Sequence, residues 1–115
     1  MYFRQAQVSP LLLPEFKGNV MAVQTAAYWD DDLDALAQRM EKLNDKVNQQ
    51  ANKDPNPAPA EKEAARKKAI AESFTPEELK RLKGGVSNGG YHYLGAAKIL
   101  APIGKAFAEA LVSPK

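Results

Sequence analysis

A chain of 115 residues is long enough for one small domain, which buries only about two-thirds of the surface its unfolded chain exposes. With 44% apolar residues the composition is that of a soluble globular protein, and 16 basic against 14 acidic side chains leave a net charge of +2. Such a balance demands neither a nucleic acid nor an anionic membrane, and the absence of cysteine excludes disulfides, thiolate metal sites and thiol catalysis.

The opening residues carry no leader pattern. Leu11, Leu12 and Leu13 form the longest aliphatic run near the start, and Pro10 and Pro14 bracket it. A signal peptide needs an apolar stretch of roughly 7–15 residues, and a membrane span needs about 20. The chain as written is therefore expected to be soluble, without an export signal and without a membrane segment, which leaves its localisation open.

Residues 2–8 read as the end of a short helix, stopped by Pro10 and Pro14. Residues 15–18 predict a turn into residues 19–25, where Val20, Met21, Ala22 and Val23 make a run apolar on both faces. That pattern predicts a strand inside a covered sheet, and a lone strand needs partners for its backbone groups. No other segment predicts one.

After Trp29, the acidic triplet Asp30, Asp31 and Asp32 suits a helix N-terminus, where the macrodipole favours negative charge. Leu33, Leu36, Met40, Leu43 and Val47 follow at helical spacing and predict an amphipathic helix to about residue 52. Prolines at 55, 57 and 59 predict an extended linker, after which residues 61–72, rich in Ala, Glu and Lys, predict a solvated surface helix. Thr75, Pro76 and Glu78 spell a capping box that starts another short helix with Leu79 and Leu82 as its apolar contacts. Four glycines within residues 84–90 predict a flexible loop. In the last segment Leu100, Ile103, Phe107 and Leu111, with Ala96 and Ala110, mark one buried helical face, and Pro102 is expected to kink or split that helix near Ala101.

His92 is the single histidine, set between Tyr91 and Tyr93 after the glycine-rich loop. Imidazole titrates near neutrality and a loop can reach a cleft, so general-base chemistry is one role for it. A histidine that hydrogen-bonds at a helix start is the other. The acidic triplet lacks the spacing of a metal site. The basic clusters at residues 66–68 and 80–83 are interspersed with Glu63, Glu72, Glu77 and Glu78 and read as a solvated face.

Several separated segments, in order, resemble one family. Gly90-Tyr91-His92-Tyr93-Leu94-Gly95, then Ala97-Lys98 and Gly104-Lys105-Ala106-Phe107-Ala108-Glu109-Ala110, are similar to the C-terminus of sialate O-acetylesterase-like proteins. These are SGNH (GDSL-like) carbohydrate esterases, in the versions found in planctomycete-type bacteria. Phe3-Arg4-Gln5-Ala6-Gln7, Pro14-Glu15-Phe16-Lys17-Gly18-Asn19-Val20 and Val23-Gln24-Thr25-Ala26-Ala27-Tyr28-Trp29-Asp30 match the same group. The resemblance implies a mostly α chain with one core strand, the C-terminal portion of an α/β/α sandwich. Residues 19–25 would be its last core strand, residues 30–83 a charged helical insertion, and residues 84–111 the histidine loop and closing helix.

The resemblance also implies roles. His92 matches the catalytic histidine, which activates a serine for attack on an acetyl carbonyl. The Gly-Asp-Ser-like motif and the oxyanion donors do not occur in this sequence; Ser9, Ser73, Ser87 and Ser113 match no such motif. The family's acid stands three residues before the histidine, where this chain has Gly89, so Asp30, Asp31 and Asp32 are the alternatives for orienting His92. Tyr91 and Tyr93 are candidates for contacting substrate, as is Trp29, which reads better as core. The expected function is the C-terminal part of a serine esterase that removes acetyl groups from carbohydrate, inactive alone for want of its serine segment. No metal and no cofactor is implied, and the partner is an acetylated carbohydrate or the missing N-terminal half. The alternative is a free-standing helical interaction module that self-associates through the stripe from Leu33 to Val47.

Overall fold

A computed structural model of the chain describes residues 2–51, 53 and 58–112. Among these the order is α1 (Tyr2–Val8), 3-10 turns at Ser9–Leu12, Pro14–Phe16 and Thr25–Tyr28, α2 (Asp31–Ala51), α3 (Pro59–Ser73), α4 (Pro76–Gly85), a 3-10 segment at Gly90–Gly95, and α5 (Ala97–Val112). The chain divides into two compact units, Met1–Trp29 with Lys98–Lys115, and Asp30–Ala97.

In the first unit the expected core strand is absent. Asn19 and Val20 both donate to the Phe16 carbonyl, closing a turn, and residues 20–24 then run without assigned secondary structure into the Thr25–Tyr28 turn. Apolar content on both faces fits a buried strand, but a strand exists only as part of a hydrogen-bonded ladder. No strand forms among the described residues, so the expected α/β/α sandwich with its core strand is corrected to a helical arrangement. Val20 and Met21 are exposed.

The closing helix α5 carries a second correction. Ile99 and Ile103 are buried, whereas Leu100, Phe107 and Leu111, expected on the buried face, are exposed. Periodicity locates an apolar stripe but not which edge of a wide stripe faces inward. α5 also runs through Pro102 without a break. Along it Lys105 and Glu109, one turn apart, form an ion pair.

The second unit holds the expected amphipathic helix. The Asp30 carboxylate accepts from the Leu33 N–H at 3.0 Å and so caps α2. Leu33, Leu36 and Val47 are buried where α2 packs on α3 and α4, with Met40 and Leu43 half-buried, so the stripe offered for self-association is largely consumed inside the unit. Arg39 ties this packing together: its guanidinium donates to Glu78 at 2.7 Å and to the Ser73 carbonyl at 2.8 Å, and it lies 4.7 Å above the buried Phe74 ring. Arg66 on α3 donates to Asn44 on α2 at 2.9 Å. Of the expected linker, residues 54–57 lie outside the described residues, and Pro59 begins α3.

α4 starts on the capping box read from the sequence. The Glu78 N–H donates to the Thr75 hydroxyl at 3.2 Å, and the Glu78 carboxylate accepts from the Thr75 N–H at 2.8 Å. Gly84 and Gly85 belong to the last turn of α4 rather than to the loop, which is a further correction. Gly85 lies against the Leu33 side chain, where an added Cβ would stand 3.2 Å from a methyl carbon.

Candidate functional site: the histidine loop

Between α4 and α5 the chain makes a tight loop that presents His92. Its base is a double bond: the Ser87 and Asn88 N–H groups both donate to the Leu94 carbonyl, at 2.8 and 3.0 Å. In return the His92 and Leu94 N–H groups donate to the Gly89 carbonyl, at 3.0 and 3.1 Å. The Ser87 hydroxyl donates to the Gly95 carbonyl at 2.9 Å. Leu94 and Ala96 are buried and anchor the far side. A loop closed this many times is held rather than flexible.

The closure forces unusual backbone. Tyr93 and Leu94 have φ of 53° and 58°, and Gly95 follows at 58°. Non-glycine residues in this left-handed region cost on the order of 1–3 kcal/mol each and persist only where the surroundings determine them. At Gly95 a side chain is barred outright, because a Cβ would fall 2.1 Å from the Ser87 hydroxyl oxygen. The turn therefore requires glycine at this one position.

His92 itself is exposed, and its ring meets the Tyr91 ring at 4.5 Å between centroids with the planes tilted by 56°. Tyr91 is 84% exposed, whereas Tyr93 is half-buried, so the two candidate substrate contacts part company. Tyr91 leans over Gly89, where an added Cβ would come within 2.9 Å of its ring. Trp29, read as core, is half-buried.

No carboxylate is bonded to the His92 ring among the described residues. Asp30 caps α2, and Asp31 and Asp32 are exposed in its first turn. One carboxylate near this loop, at Asp34, was not singled out by the sequence. Asp34 points Oδ1 at Gly90, 3.8 Å from where a Cβ would stand, while its Oδ2 accepts from Gln38 at 2.9 Å. One signal was available in the sequence: Asp34 and Gln38 stand one helical turn apart, where their side chains meet. Of the serines, Ser9 donates to the Ala6 carbonyl and Ser87 to the Gly95 carbonyl, and Ser113 lies outside the described residues.

The first unit contains an open apolar groove of about 690 Å³ lined by residues of α1, the turn after it and the 20–24 segment, His92 not among them. Among the described residues no group of three or more His, Asp or Glu side chains is placed to hold a metal ion, and no helix is long and apolar enough to cross a membrane. Compared with known proteins, the chain matches no family model, no curated protein and no solved structure.

Proposed function

We propose that His92 is the general base of a serine ester hydrolase that removes acetyl groups from carbohydrate, with the nucleophilic serine supplied from outside this sequence. One observation carries the proposal: an exposed imidazole stands on a loop whose two following residues are non-glycine and left-handed. Backbone strain of this kind collects where a side chain must be presented in one place. The Gly-Tyr-His-Tyr-Leu-Gly sequence of that loop is also the segment by which the chain resembles acetyl esterases.

In this mechanism an imidazole nitrogen of His92 takes the proton from the serine hydroxyl as its oxygen attacks the acetyl carbonyl. The tetrahedral adduct collapses by breaking the bond between the acetyl carbon and the sugar oxygen, which receives the proton from His92. Water, deprotonated by the same nitrogen, then cleaves the acyl-enzyme and frees acetate and the serine.

The test is acetate release from an acetylated sugar by the polypeptide purified from its source, compared with its His92→Ala variant. A positioned general base contributes about a hundred- to ten-thousandfold, so the variant is expected to lose at least about a hundredfold in kcat. The 115 residues alone are expected to release no acetate. Undiminished turnover in the variant, or a source polypeptide with no esterase activity, would overturn the proposal.

A further inference from the structure

Two groups of the kind that hold a sugar stand at neighbouring positions of the histidine loop: an exposed aromatic ring against Gly89 and a carboxylate oxygen near Gly90. Tyr91 is 84% exposed, an unusual place for a large ring, and it sits against His92. Gly89 leaves room for it: an added Cβ there would stand 2.9 Å from the ring, which would have to move. Beside the same turn, Asp34 is held by Gln38 through Oδ2, which leaves Oδ1 directed to the loop at Gly90. A pyranose can lay its C–H face on the ring while a hydroxyl donates to the carboxylate, a charge-assisted bond of the stronger kind.

We propose that Tyr91 and Asp34 form the sugar-holding edge beside His92 and that the sugar is uncharged, as in an acetylated neutral pyranoside, rather than an anionic sialic acid. This rests on the esterase proposal for its acetyl chemistry but on separate residues for its recognition. The charge selection follows from Asp34: a carboxylate that accepts from a sugar hydroxyl repels a sugar carboxylate at the same edge. Arg39 on α2 and Arg66 on α3 are already engaged, by Glu78 and by Asn44.

The experiment is a titration of the 115-residue chain with methyl β-xylopyranoside and, in parallel, with N-acetylneuraminic acid, followed by NMR. His92 is the single histidine, so its ring signals need no assignment against others. The neutral sugar is expected to shift the His92 and Tyr91 ring signals in a saturable way, and neuraminic acid to leave them in place. Tyr91→Ala is expected to weaken the neutral sugar about tenfold, with Tyr91→Phe close to the parent, and Asp34→Asn to admit neuraminic acid. Because Tyr91 is exposed, its loss leaves the fold intact, which a circular dichroism melt checks. Unmoved ring signals with the neutral sugar, or equal shifts with neuraminic acid, would overturn the proposal. The titration needs no turnover: binding by this chain, together with no His92-dependent acetate release by the polypeptide purified from its source, would defeat the esterase reading alone, and such release without binding at Tyr91 would defeat this one.

Discussion

At Gly95 a single hydrogen atom decides whether the histidine loop can close. The backbone there is left-handed, and the Ser87 hydroxyl occupies the space a methyl group needs. Gly95→Ala is expected to cost at least about 1–3 kcal/mol and to loosen the loop, read as a lower melting temperature and broadened His92 ring signals. Ser87→Ala in the same background removes the clashing oxygen and is expected to restore part of the loss. A melting temperature unchanged by Gly95→Ala would mean that the loop does not close in this way. The identity of His92, Tyr91 and Gly95 was plain in the sequence, and so was the candidate base. What was not legible was the left-handed backbone at Tyr93 and Leu94, since neither residue favours it and only the surrounding bonds impose it.

Among the elements, α4 shows local sequence and final structure in agreement, because a capping box involves residues only three apart. Thr75→Ala is expected to destabilise by about 1 kcal/mol, measured by denaturant unfolding. The Thr75 N–H, and after it the Arg39 guanidinium, hold the Glu78 carboxyl below the usual glutamate value of 4.5. A depressed carboxyl contributes stability that is complete above 4.5 and is lost as pH falls through its lower folded value. The acid limb of the stability profile is therefore expected to flatten in Glu78→Gln, and an unchanged limb would count against the assignment. Lys105 has the opposite sign: its bond to Glu109 raises it above the usual 10.5, so that contribution holds below 10.5 and fades as pH rises through the higher value. In α5 the test is one of register. Ile99→Ala is expected to cost about 2–5 kcal/mol, as a fully buried isoleucine does, whereas Leu111→Ala, on an exposed side chain, is expected to change stability by less than about 0.5 kcal/mol. The reverse order would restore the face expected from periodicity.

Across the whole molecule the apolar surface is unevenly used. The second unit buries its stripe on α2, while the first leaves Leu12, Leu111 and Val112 more than four-fifths exposed. Exposed apolar side chains at this level bind hydrophobic dyes in the native state. The native chain is expected to enhance anilinonaphthalene sulfonate fluorescence, and Leu12→Ser with Leu111→Ser to reduce it without lowering the melting temperature. Absent enhancement would show this surface covered in solution.

What the sequence alone determined is local. The existence of the helices, the acidic start of α2 and the capping box at Thr75 all follow from residues within one or two turns of each other. Tertiary structure decided what depends on distant partners. Residues 19–25 have strand composition, yet among the described residues they form no strand: Asn19 and Val20 close a turn on the Phe16 carbonyl, and Thr25 opens a 3-10 turn. The inward edge of α5, the end of α4 at Gly85 against Leu33, and the approach of Asp34 to the histidine loop were settled by packing between segments far apart in the chain. Periodicity reports that an apolar face or a carboxylate exists, whereas its neighbour is chosen only when the chain closes on itself.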